Sequence, residues 1–159
     1  MAVARQARGF TVVEALTVLA VIALLAAIAL PSLASVLASQ RLRAAGTDLM
    51  SSLLLARSEA IKRNAQVAIT PRSPGDWKSG WRVATVSTDE QVDRREALGV
   101  RVDVALAPDS IVYQRNGRLG VAGAVQVEFR DSENQAGVKA RCVMIDPSGL
   151  PRLQIGACA

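Results

Sequence analysis

The chain has 159 residues, of which 50% are hydrophobic and 3% aromatic, with a formal net charge of +5 and no histidine. Without histidine, a glycine-rich phosphate loop or a nucleophile motif, neither catalysis nor a cofactor is expected. A bound metal is not expected either, because the chain has no histidine and no cysteine beyond two.

The first segment, Met1–Gly9, carries Arg5 and Arg8 and no acid. Gly9-Phe10-Thr11-Val12-Val13-Glu14 follows, and then the run Ala15–Leu30, whose sole polar residue is Thr17. Together with Phe10–Val13 the run reaches about twenty residues, the length a helix needs to cross hydrocarbon. Apolar side chains face every direction, which distinguishes it from an amphipathic core helix. From Phe10 to Gln40 the sole charge is Glu14. A carboxylate inside a membrane helix costs about 2.5–3.5 kcal/mol at the centre and less near an interface. Two readings of Glu14 stand: a first-turn acid favoured by the helix dipole, or a group that awaits a partner cation in the membrane. Pro31 removes one helical bond and clashes one turn back, so a kink is expected there. A cleaved secretory signal ending at Ala38 is the competing reading. Its apolar region should span about 7–15 residues, shorter than this one.

The motif Gly9 to Glu14, with its short basic leader, apolar span and Pro31, resembles the class III signal of type IV pilins and type II secretion pseudopilins. That resemblance implies prepilin peptidase cleavage between Gly9 and Phe10 and N-methylation of Phe10. It also implies that Glu14 meets the amino terminus of a neighbouring subunit during assembly. The implied layout is a leader over 1–9, a transmembrane part of the helix over 10–38, and a periplasmic domain over 39–159. The subunit would then cross the inner membrane once. Its partners would be other minor and major pilins or pseudopilins, the peptidase and inner-membrane lipid.

Beyond Pro31 the pattern becomes amphipathic. Leu42, Ala45, Leu49, Leu53, Ala56 and Ala60 recur at three- and four-residue steps, which predicts one face that packs on something else. Glu59 and Arg63 stand four apart in the favourable order for an ion pair. Gly46 is a weak point that would mark a bend. One long helix is therefore expected from about Thr11 to Arg63, docked on a sheet in its second half.

Gln66–Thr70 reads as a first strand, and Pro71–Asp76 as a turn. Trp77 and Trp81 flank a glycine turn before a strand over Trp81–Ser87. This Trp-x-x-Gly-Trp element resembles the FimT/GspH branch of minor pilins. Thr88–Leu98 is charge-rich and reads as a loop. Val100–Leu106 and Val125–Arg130 alternate as half-buried strands. Ile111–Gln114 and Arg118–Val121 flank Asn116-Gly117, a hairpin signal. Arg141–Ile145 and Leu150–Ile155 flank Asp146-Pro147-Ser148-Gly149, a second hairpin. The expected class is α+β, the type IV pilin fold: a long N-terminal helix packed on a small antiparallel β-sheet domain.

Cys142 and Cys158 enclose that last hairpin. In the periplasmic compartment implied above, an even cysteine count most simply means one disulfide; two buried thiols are the alternative. A hairpin closed this way resembles FimT- and FimU-like minor pilins. Removing the leader lowers the 19 basic residues to 17 against 14 acidic ones, a net charge of +3. Candidate DNA contacts are Arg115, Arg118, Lys139, Arg141 and Arg152. FimT-like proteins that take up DNA carry Gly-Arg-x-Arg near the C-terminus. The matching stretch here, Gly149-Leu150-Pro151-Arg152, lacks the first arginine, so DNA is the disfavoured partner. The expected function is that of a FimT/GspH-type minor pilin in the priming or tip complex of a type IV pilus. A pseudopilin of type II secretion and a DNA-capturing minor pilin are the alternatives.

Overall fold

The structure is a computed structural model that describes residues 10–159, without the side chains of residues 28–31. The leader, the junction expected at Gly9 and the kink expected at Pro31 all lie outside what is described. Contacts divide the chain into two units, Met1–Ala34 and Ser35–Ala159.

Helix α1 runs Val12–Arg63. In the first unit Thr11 caps it: the Glu14 amide donates to Thr11 Oγ1 at 3.2 Å, and the Ala15 amide donates to the Thr11 carbonyl at 3.1 Å. Every side chain from Phe10 to Ala27 is exposed. No single helix among the described residues is long and apolar enough to cross a membrane. The segments Val12–Ala27 and Ser32–Arg63 together meet that test by length and composition.

In the second unit the expected stripe is fully realised. Leu42, Ala45, Leu49, Leu53, Ala56 and Ala60 are all buried, and Ala38 extends the stripe one turn earlier. Eight antiparallel strands follow: β1 (Val67–Ser73), β2 (Asp76–Thr85), β3 (Gln91–Arg95), β4 (Val102–Leu106), β5 (Ile111–Tyr113), β6 (Val125–Asp131), β7 (Arg141–Ile145) and β8 (Pro151–Ile155). They form two four-stranded sheets, ordered β3-β2-β1-β5 and β4-β6-β7-β8. Val67, Ile69, Trp81 and Val83 from the first sheet and Val127, Phe129, Val143 and Ile145 from the second share one core with the stripe. Alternation along β6 explains its orientation, since Val127 and Phe129 turn inward and Glu128 and Arg130 outward.

Four local expectations are corrected. Gly46 does not bend the helix; it lets α1 lie against β8, where an added Cβ would stand 2.7 Å from Leu153 Cδ1. Both tryptophans lie inside β2 rather than beside a turn, and the chain reverses between Ser73 and Asp76. The charged stretch read as a loop contains β3, an edge strand whose Arg94 pairs with Arg82 and whose Arg95 pairs with Trp81. An edge strand needs backbone pairing but no apolar alternation, and charges there discourage further pairing. At Asn116-Gly117 the return arm makes a single bridge, Tyr113 to Leu119. The reversal itself is present: the Gln114 amide donates to the Arg118 carbonyl at 2.8 Å and the Gly120 amide to the Val112 carbonyl at 2.9 Å, while the Leu119 amide, on the opposite edge, donates to the Pro147 carbonyl at 3.3 Å.

Leu53 has no exposed surface, whereas its neighbour Leu54 is 44% exposed. Leu53→Ala is expected to lower the unfolding free energy by about 2–5 kcal/mol, and Leu54→Ala by less than about 1 kcal/mol. Urea titration of both variants checks this, and equal costs would contradict the packing of this face.

Candidate assembly site

The N-terminal candidate is built from the helix cap upward. Thr11 supplies the capping oxygen, and Glu14 occupies the third helical position, where an acid is favoured by the exposed amides. The Glu14 carboxylate makes no ion pair among the described residues. The local arrangement thus explains why a carboxylate starts this helix, while its charge stays unpaired among the described residues. Phe10, one turn before Glu14, is 77% exposed.

The tryptophans are structural. Their ring centroids lie 6.3 Å apart with a 45° tilt, inside the range where aromatic pairs attract. Trp81 Nε1 donates to Ser52 Oγ at 3.0 Å, and Trp77 Nε1 donates to the Pro108 carbonyl at 2.7 Å. The first bond ties β2 to α1 and gives the buried Ser52 its partner. Tyr113 is also buried, and its hydroxyl donates to the Gly149 carbonyl at 3.2 Å. Burial pushes its phenol well above the usual range. Gly149 sits at φ +86°, and a Cβ there would stand 2.1 Å from the Gly117 carbonyl oxygen. Arg57 Nε donates to that same carbonyl at 3.0 Å. α1, the β5 turn and the β7–β8 turn therefore meet at one point.

The expected Cys142–Cys158 disulfide is present, with Cα atoms 5.1 Å apart. Cys142 faces Glu128 on β6 across the strand pair. The Cys158 amide donates to Glu128 Oε2 at 2.7 Å, and Gln126 Nε2 donates to the Ala159 carbonyl at 2.8 Å. The last residues thus form a strap across β7 onto β6. Sequence reasoning found the disulfide but not the strap, because Gln126 and Glu128 are distant in the chain and read as ordinary outward polar residues.

The candidate DNA contacts divide between places. Arg115 and Arg118 are exposed in the β5 turn. Arg152, opposite Met144 on β7, lies 3.9 Å from Asp146. Hydrogen bonding from Ser148 holds the Asp146 carboxyl below its ordinary range, which keeps a negative charge beside Arg152. Arg141, which donates to the Lys139 and Ala140 carbonyls, lies three residues from Met144 along β7. That separation is roughly 10 Å, and Lys139 lies beyond it. Among the described residues no group of three or more metal-ligating side chains is present.

The sequence model of the type II transport protein GspH family matches residues 45–149. A second model, the prokaryotic N-terminal methylation motif, matches residues 4–30. No curated protein matches the chain. Among solved structures, it is similar to the type IV minor pilin FimU of Pseudomonas aeruginosa, with a TM-score of 0.60 and 18% identity over 74% of this chain and 90% of that one. It is also similar to the minor pseudopilin EpsH of the Vibrio cholerae Type 2 Secretion System, with a TM-score of 0.52 and 14% identity over 71% of this chain and 95% of that one. At these identities the likeness is one of fold.

Replacing both Cys142 and Cys158 with Ser is expected to lower stability by about 3 kcal/mol. The loss should appear in urea unfolding together with faster amide exchange at Cys158, while the buried tryptophan emission stays unchanged. Unaltered exchange at Cys158 would show that the strap holds without its covalent bond.

Proposed function

We propose that this chain, which belongs to the GspH family of minor pilins and pseudopilins, acts as a membrane-anchored subunit of the priming or tip complex of a type IV pilus. One observation carries the reading: an N-terminal methylation motif over residues 4–30 precedes a GspH-family domain over residues 45–149 in the same chain. Prepilin peptidase cleaves after Gly9, and the new amine of Phe10 is methylated. The exposed apolar surface of the first unit then lies first in inner-membrane lipid and later among the helices of neighbouring subunits. Removal from water drives the first step, since each fully covered Leu or Val gains about 1.5–3 kcal/mol; in the second, close packing replaces lipid contacts with helix contacts.

Glu14 directs register. Its carboxylate makes no ion pair among the described residues, and an unpaired charge among apolar helices costs several kcal/mol. An amine from the adjacent subunit relieves that cost, so misplaced subunits are disfavoured by the charge they leave buried. Pro31 provides a place for the helix to bend as it leaves the bilayer. The second unit, on the far side of the inner membrane, selects the position of the subunit among other pilins.

The family description, a type II transport protein, favours a second reading in which the same subunit primes a secretion pseudopilus. Scoring surface pili and exported protein in one deletion strain separates the two. Loss of pili with normal export supports the pilus, and the reverse supports secretion. DNA capture has less support, because Arg152 lies beside Asp146 and the basic side chains are divided.

Glu14→Ala is expected to leave membrane insertion intact and to reduce incorporation into filaments at least about tenfold, the equivalent of 1.4 kcal/mol of lost pairing. Fractionation of sheared filaments measures it, and normal incorporation would remove the pairing role. The mature N-terminal peptide should carry a methylated Phe10 by mass spectrometry; a chain still beginning at Met1 would remove the cleavage step.

A further inference from the structure

A shallow groove of about 230 Å³ lies on the surface of the first unit's helix, lined by Thr17, Val18, Val21 and Ile22. Thr17 supplies its sole polar side chain. Glu14 stands at its N-terminal end, three residues before Thr17 and four before Val18. Those spacings place helical side chains next to one another. We infer that this groove, with Thr17 as a second acceptor beside Glu14, seats the N-methylated amino-terminal phenylalanine of a neighbouring subunit. The inference rests on the pairing of Glu14 proposed above and names the residues that receive the rest of that terminus.

Three observations carry it. The first is charge. The Glu14 carboxylate makes no ion pair among the described residues, at the mouth of a groove that is otherwise apolar. A carboxylate in such surroundings needs a cation within hydrogen-bond reach. The fitting occupant therefore joins a cation directly to an apolar group. A lipid acyl chain covers Val18, Val21 and Ile22 equally well but leaves the charge uncompensated.

The second is the acceptor set. A hydroxyl has one hydrogen to donate and two lone pairs that accept. Thr17 donates that hydrogen to the Val13 carbonyl, and its lone pairs meet no donor among the described residues. With its hydrogen committed to the backbone, Thr17 faces a ligand as an acceptor alone. A methylated amino terminus is a secondary ammonium with two N–H donors. Glu14 takes one and Thr17 the other, and the methyl group faces the valines. A primary ammonium, whether an unmethylated terminus or a lysine, brings a third donor against an apolar wall, where an unmade hydrogen bond is costly.

The third is shape. Val18, Val21 and Ile22 are β-branched, and in a helix Val and Ile hold one side-chain rotamer almost throughout. The walls are thus formed before the ligand arrives and lose little freedom when it is seated. From Thr17 to Ile22 the groove extends roughly 7 Å along the axis. That length receives the phenyl ring of a terminus whose nitrogen sits at Glu14 and Thr17.

Incorporation of the full chain into sheared filaments tests this, once the membrane fraction has shown insertion. Thr17→Val removes the acceptor at nearly constant shape. It is expected to lower incorporation about tenfold, the effect of one hydrogen bond to a charged group. Thr17→Ser keeps the acceptor and should incorporate as the parent chain does. Glu14→Ala combined with Thr17→Val should lose no more than Glu14→Ala alone, because both side chains act on one amine. Normal incorporation of Thr17→Val beside a defective Glu14→Ala overturns the inference, leaves the Glu14 pairing standing and assigns the groove to lipid. Equal defects in Thr17→Val and Thr17→Ser overturn the acceptor role. Losses that multiply in the double variant place Thr17 at a different contact and overturn it as well. Normal incorporation of Glu14→Ala removes the pairing itself and the occupant of the groove with it.

Discussion

The second unit depends on one contact, the burial of a single stripe of α1. Leu42, Ala45, Leu49, Leu53, Ala56 and Ala60 meet side chains from both sheets. Neither sheet could be covered otherwise, because each presents one apolar face and one polar face. Alanine at three of the six stripe positions brings the backbone of α1 close to the strands. Gly46 extends this by admitting Leu153. The same close approach lets Ser52 reach the indole of Trp81 and Arg57 reach the Gly117 carbonyl. The polar links are thus consequences of the packing, and they fix which turn of the helix faces which strand.

The same helix serves two solvents. Up to Ala27 its described side chains are exposed and, apart from Thr11, Glu14 and Thr17, apolar, a surface that water does not tolerate over such an area. From Leu42 onward the apolar residues narrow to a stripe, and charged residues take the rest. In the proposed reading the first part is completed by lipid or neighbouring helices and the second by the chain's own sheets. Glu14 belongs to the first part in both senses available to it. It is a good first-turn residue for the helix, capped by Thr11, and it is a charge with no ion pair among the described residues.

The outer surface of the second unit is organised by ion pairs and by the C-terminal strap. Exposed pairs such as Arg63 with Glu59 and Glu90 contribute little to stability. Hydrogen bonds to Arg63 and Lys62 hold the Glu59 carboxyl below its ordinary range, so these pairs persist across neutral pH. The strap is different in kind: a covalent bond and hydrogen bonds to β6 stop the chain end from fraying.

Several features were readable directly from the amino-acid order because they depend on local periodicity. The helix to Arg63, the buried stripe, the Glu59–Arg63 pair, β6 and β7, and the leader-to-proline motif all repeat or sit at fixed spacings. One helical turn or one strand pair suffices to define each. The cysteine pairing was legible for a related reason, since two cysteines around one hairpin in an oxidising compartment leave one bridge to form. Other features required the folded chain. β3 carries no apolar alternation and exists because β2 offers a free edge. The Asn116-Gly117 return arm bonds to β5 on one edge and meets the distant Pro147 carbonyl with the other. Gly46 reads as a weak helical residue until Leu153 stands against it. Arg41 of α1 lines one groove with Arg94 and Arg95 of β3, more than fifty residues away in sequence. Local pattern reports which face of an element is apolar; which distant backbone or guanidinium meets that face is decided by the packing of α1 with residues of both sheets.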